Sequence, residues 1–176
     1  MKKLIITLLL AVSAISFSQK MMTRSGEIKF DATVPTSVDN VAATNNTVSS
    51  IFDKGTGDLV VQAMVKSFKF KVPLMEEHFN ENYMESSKFP KATFKGKASN
   101  YAGKDGSYEV EGDLTMHGVT NKVKTKMSFT TQGGKLVISG NINVKLADYK
   151  IDIPSLAKKT LAENAKVSIK LEMENK

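Results

Sequence analysis

Apolar and polar side chains alternate with period two in one segment after another of this 176-residue chain. Successive side chains of a strand point to opposite faces, so each such run is a ribbon with one apolar side. Ile28, Phe30, Ala32 and Val34 alternate with Lys29, Asp31 and Thr33. Phe68, Phe70 and Val72 alternate with Lys69 and Lys71, and Ala92, Phe94, Gly96 and Ala98 with Thr93, Lys95 and Lys97. Tyr108 to Met116, Val123 to Phe129, Leu136 to Leu146 and Val167 to Met173 repeat the pattern, with weaker runs at Val48–Ile51 and Leu59–Val65. Turn-forming residues separate the runs at Lys54–Gly57, Gly103–Gly106 and Gln132–Gly134. Links this short join antiparallel neighbours. About eight strands, each polar on one face, predict an all-β barrel or sandwich.

Two segments depart from the alternation. Pro73 opens a stretch in which Met75, Phe79 and Tyr83 fall at helical spacing. Proline suits a first helical position, and Glu76 and Glu77 suit the positive end of the helix. A short helix over one end of the sheet is expected there, with a second candidate at Ser155–Asn164.

Residues 1–18 have the form of a secretory signal: Lys2 and Lys3, an apolar run from Leu4 to Ile15, then Ser16-Phe17-Ser18. The apolar run is short for a membrane span. Cleavage near Ser18-Gln19 is expected to leave a domain of residues 19–176 in the periplasm or outside the cell, with no transmembrane segment.

Composition removes several kinds of chemistry. There is no cysteine, which excludes disulfides, thiolate metal sites, a thiol nucleophile and a lipidated cysteine anchor. Two histidines, His78 and His117, are too few for a histidine-rich metal centre. His78 has Glu76, Glu77 and Glu81 nearby but lacks the second histidine of a helical zinc motif, so solvated helix charge accounts for it. His117 precedes Gly118 after an apolar run, where a strand is expected to turn, and a structural hydrogen bond suits it better than acid–base catalysis. No nucleophile elbow, phosphate loop or carboxylate pair is present, and the chain is read as a non-enzyme. The formal charge of +7 falls by two when Lys2 and Lys3 leave with the signal. Arg24 is the one arginine among 25 basic residues, and the lysines are spread along the chain. Nucleic-acid binding is therefore not expected, since arginine forks are the usual readers of phosphates and bases.

The apolar face mixes small and large residues. Ala92, Gly96, Ala98, Gly112 and Gly140 share their phase with large neighbours. By strand parity Phe30, Met64, Phe68, Phe70, Phe94, Leu114, Met116, Met127, Phe129 and Ile142 face inward, joined by Phe79 and Tyr83 from the helical segment. Small gaps between Met and Phe walls enclose an elongated cavity, or large neighbours fill them, or the glycines mark bulges; periodicity leaves these open.

Two stretches are similar to the YceI-like family of secreted bacterial lipocalin-like barrels. One runs from His78 through Lys88-Phe89-Pro90 to the strand bearing Phe94 and Gly96. The other is Gly112-Asp113-Leu114-Thr115-Met116-His117-Gly118-Val119-Thr120. The resemblance implies an antiparallel up-and-down barrel whose interior holds a long apolar chain, such as a polyisoprenoid or quinone tail, without catalysis. It implies no cofactor beyond such a bound isoprenoid lipid or quinone. His78, Pro90, His117 and Gly118 carry over as structural positions, and the parity residues Phe30, Met64, Phe68, Phe70, Phe79, Tyr83, Phe94, Gly96, Ala98, Gly112, Leu114, Met116, Met127, Phe129 and Ile142 are the expected tunnel wall. Family members often begin with a longer aromatic strand, so a reduced first strand is expected here. A structural or partner-binding barrel with a packed core is the alternative. The oligomeric state, a homodimer included, stays open.

Overall fold

A computed structural model describes residues 20–175. The predicted signal segment lies outside the described residues. Nine strands follow in chain order: β1 (Lys20–Thr33), β2 (Ala42–Asp53), β3 (Asp58–Met64), β4 (Lys69–Phe70), β5 (Lys91–Ala98), β6 (Gly106–Met116), β7 (Val119–Gln132), β8 (Lys135–Lys145) and β9 (Leu161–Asn175). All pair antiparallel, and β1 pairs with both β2 and β9. That second pairing closes eight strands into an up-and-down barrel, while the two-residue β4 rides on one end of β2. Closure removes the exposed sheet edges that an open sheet of this length would leave. The alternation predicted from sequence is thus realised as inward apolar and outward charged rows.

The first strand is not reduced. β1 spans 14 residues, starts almost at the expected cleavage point, and passes two register shifts between Thr23 and Ile28. The helical segment after Pro73 is present as α1 (Pro73–His78), with proline in the first turn. It then widens into a π-type turn over Phe79–Tyr83, closed by the Met84 N–H donating to the Phe79 carbonyl at 2.8 Å. The second helix candidate is corrected: residues 157–159 form a single 3-10 turn, and β9 begins at Leu161. Among the described residues no helix is long and apolar enough to cross a membrane.

The two ends of the barrel differ. One end gathers the β2–β3, β5–β6 and β7–β8 connections and is sealed by aromatic rings. Phe129 and Tyr101 each contact Phe52 and Tyr108, with ring centroids 5.0–5.3 Å apart. The other end carries the long connections: residues 34–41, the insert of residues 65–90 with α1, and residues 146–160 before β9. Where β3 leaves β2 to enter the insert, the buried Asn45 amide donates to the Met64 carbonyl at 3.0 Å and bridges the break.

Candidate functional site

The β6–β7 connection is a two-residue turn. Met116 pairs with Val119, and both His117 (φ 49) and Gly118 (φ 72) are left-handed. This is a type I′ hairpin, whose twist matches that of its strands. Glycine suits the second position twice over, since a Cβ there would lie 2.5 Å from the Phe89 ring. The turn aims His117 across the open end, where its side chain is 10% exposed. Nδ1 lies 2.9 Å from the Tyr149 carbonyl, and Nε2 2.9 Å from Glu85 Oε2. A carbonyl only accepts, so Nδ1 carries a proton and donates it. Phe89 packs edge-on against the imidazole. His117 therefore ties the hairpin to the insert through Glu85 and to the β8–β9 connection through Tyr149.

Inside the open half lies a cavity of about 340 Å³. Phe30, Phe68, Phe70, Phe79, Tyr83, Phe94, Leu114, Met116, Met127 and Ile142 of the parity prediction line it. The π-type turn inserts Phe79 among Phe30, Phe68 and Phe70, with centroids 5.1–5.9 Å apart. His78 is exposed at the mouth, while Pro90 is exposed and offers its carbonyl to the Val65 N–H. Among the described residues no Asp, Glu, Lys or Arg lines the cavity; its polar members are hydroxyls and His78. Among the described residues no group of three His, Asp or Glu side chains is placed to hold a metal ion.

Five predicted wall residues lie elsewhere. Met64 is 39% exposed, because Leu59, Val61 and Ala63 are the inward row of β3. Phe129 is fully buried in the aromatic seal, and Ala98 packs in that same closed half. Gly96 and Gly112 face each other across β5 and β6 and leave no gap. A Cβ on Gly112 would meet the Gly96 Cα and the Lys95 carbonyl oxygen at 2.3 Å. In turn, the Phe94 ring covers Gly96. Sequence reasoning also missed wall residues. Ile28, Val123, Leu146, Val167 and Ile169 carried the same alternation signal, whereas Ile151 sits in a connection that has none.

Residues 10–173 match the model of the YceI-like domain. The chain belongs to the YceI-like family. No curated protein sequence matches it. Solved structures share the fold at low identity. A polyisoprenoid binding domain from Saccharophagus degradans is similar with a TM-score of 0.77 at 14% identity, covering 90% of this chain and 99% of that one. Burkholderia cenocepacia BcnA gives 0.70 at 17%, covering 83% and 94%. The Campylobacter jejuni YCEI protein gives 0.62 at 19%, covering 80% and 87%. In this YceI-like chain the His117-Gly118 turn of the motif lies at the open end, while Leu114 and Met116 of the same motif line the cavity wall.

Proposed function

We propose that this chain is a non-catalytic, secreted carrier that sequesters an apolar isoprenoid lipid, a polyisoprenoid or quinone tail, inside its barrel. The observation that carries the reading is the cavity of the open half, walled by Phe, Met, Leu, Ile and Val and free of charged side chains. Such a wall offers a ligand solvent exclusion and little else. Each buried methylene contributes about 0.8 kcal/mol. About ten of them give roughly 8 kcal/mol, near a micromolar constant before ordering costs. The S. degradans domain of the same fold is described as polyisoprenoid binding, which supports the ligand class. The volume stands near the lower end of the range for ligand pockets, so a chain segment fits as the protein stands. The alternative is a structural or partner-binding barrel with a packed core and no lipid ligand; the apolar cavity of the open half favours the carrier. The leader-like first 18 residues support export to the periplasm or beyond, and no membrane or nucleic-acid partner is needed.

The test is organic extraction of protein purified from its native host, followed by mass spectrometry. The expected result is one isoprenoid lipid at a stoichiometry near one. Protein that carries no lipid and binds no added isoprenoid contradicts the reading.

A further inference from the structure

The barrel wall is not uniform around its circumference. β7 pairs with β8 only from Met127↔Gly140 down to Gln132↔Lys135. Beyond that point β7 keeps its ladder with β6, and β8 keeps its ladder with β9, but they no longer pair with each other. Their facing edges carry no ladder hydrogen bonds there. One side-chain tie, Thr125 Oγ1 donating to the Asn141 carbonyl at 2.7 Å, crosses at the lower margin. The upper margin is the Asn121 amide donating to the Asp148 carbonyl at 2.8 Å. The result is a side window with a pocket of about 450 Å³ outside it, large enough for a ring. Val123, Thr125, Ile142 and Val144 belong to the walls of both this pocket and the apolar cavity, so the two spaces adjoin.

Tyr149 is among the residues around the window and is 3% exposed, yet its hydroxyl has no well-formed hydrogen bond. The Asn121 amide approaches it while giving one of its two hydrogens to the Asp148 carbonyl. A buried hydroxyl without a partner costs about 1–3 kcal/mol. Burial raises the pKa of this phenol, so at neutral pH it remains a donor. The rest of the rim is amide and paired charge. Asn141, Asn143 and Asn164 stand around the opening. Lys122 and Lys124 are ion-paired with Asp113 and Glu109 on β6, and Lys145 lies in the field of Glu163. Glu163 is itself ion-paired with Lys158, so the rim offers a phosphate head one lysine outside an ion pair, Lys145, against three amides.

We propose that the window is the head-group subsite of the ligand: the apolar chain occupies the cavity, and an uncharged carbonyl-bearing head group sits between β7 and β8, where its oxygen accepts a hydrogen bond from Tyr149. This rests on the carrier reading above and adds to it a site and a head-group class.

The test uses calorimetric titration with three probes: ubiquinone-2 (a neutral carbonyl ring), farnesene (no head group) and farnesyl phosphate (an anionic head). Tyr149→Phe removes only the unpartnered hydroxyl, so the variant should melt at or above the wild-type temperature. It should bind ubiquinone-2 about three- to tenfold more weakly, the loss of one hydrogen bond, and farnesene as before. Unchanged ubiquinone-2 affinity in Tyr149→Phe, or tighter wild-type binding of farnesyl phosphate than of ubiquinone-2, overturns the subsite while leaving the carrier intact. Failure of wild type to bind both farnesene and ubiquinone-2 overturns the carrier and the subsite together. Position is read separately. The chain has no cysteine, so Asn143→Cys and Lys54→Cys each accept one fluorophore, at the window and at the closed end. Ubiquinone-2 should quench the first and not the second; equal quenching at both overturns the placement.

Discussion

The ring of Phe94 lies over Gly96, two residues further along the same strand, so closely that a Cβ on Gly96 would stand 2.3 Å from Phe94 Cζ. Opposite it, Gly112 meets backbone, namely the Gly96 Cα and the Lys95 carbonyl oxygen. A ring can swing aside and a paired strand cannot, and the backbone atom nearest a Cβ on Gly96, the Glu111 carbonyl oxygen, lies at 2.7 Å against 2.3 Å for Gly112. Gly112→Ala is therefore expected to destabilise the barrel by about 1–3 kcal/mol, as overpacking does. Gly96→Ala should cost less. Urea denaturation of both variants checks the order, and equal or reversed costs would contradict this packing.

Parity was enough to read the strands and the inward rows, because charge stands outside and apolar side chains inside on almost every strand. The location of the cavity was not legible in the same way. Whether Gly96 leaves a hole depends on which residue of β6 faces it and where the Phe94 ring lies, and both are matters of register. Phe129 carries the same alternation signal as Met127, but only the closed end supplies Phe52, Tyr101 and Tyr108 to pack around it. Met64 was misplaced because the inward row of β3 runs through Leu59, Val61 and Ala63, one residue out of step. The motif at His117 announced its turn through the glycine that follows. Its two hydrogen-bond partners, 32 residues away on either side, had no local signal. The β7–β8 window was invisible for a related reason: a strand's sequence does not say which neighbour it leaves.

The clasp at the rim leads to a second expectation. His117→Asn keeps a residue tolerant of a left-handed backbone but cannot reach both acceptors. It should lower stability by about 1–2 kcal/mol, the order of one lost buried hydrogen bond. Gly118→Ala should cost a similar or larger amount, since the left-handed conformation alone costs roughly 1–2 kcal/mol and the Phe89 ring obstructs the new methyl. Chemical denaturation measures both. A His117→Asn protein as stable as wild type would show that the clasp contributes nothing.

Acid should loosen the insert. The Glu76 carboxylate pairs with Lys69 and accepts the Phe70 N–H at 3.2 Å, which fastens α1 to β4. These contacts, the Lys69 hydrogen bond foremost, hold its pKa below the usual glutamate value. A carboxylate with a lowered folded pKa gives its full stabilisation above the unfolded pKa and loses it as pH falls through the folded one. Amide exchange across residues 73–84, corrected for intrinsic rate, should therefore rise on acidification from neutral pH. Glu76→Gln should show raised exchange already at neutral pH. Protection that is the same in wild type and variant at every pH would contradict the fastening role.

The closed half should resist enlargement. Ala98 is 2% exposed and its N–H donates to the Gly57 carbonyl in the β2–β3 turn. Ala98→Phe is expected to cost about 1–3 kcal/mol, read as a lowered denaturation midpoint. Its farnesol affinity, measured on the folded protein, should stay near that of wild type, because the cavity lies in the other half.

Ala92 tests the central claim most directly. It lines the cavity of the open half, on the same strand and in the same phase as Ala98. Calorimetric titration of farnesol into Ala92→Phe, beside wild type, asks whether the cavity is where an isoprenoid chain goes. The predicted result is affinity at least about tenfold weaker, a loss of roughly 1.4 kcal/mol or more, in a protein whose denaturation midpoint is close to that of wild type. Undiminished farnesol binding by a folded Ala92→Phe protein would contradict it.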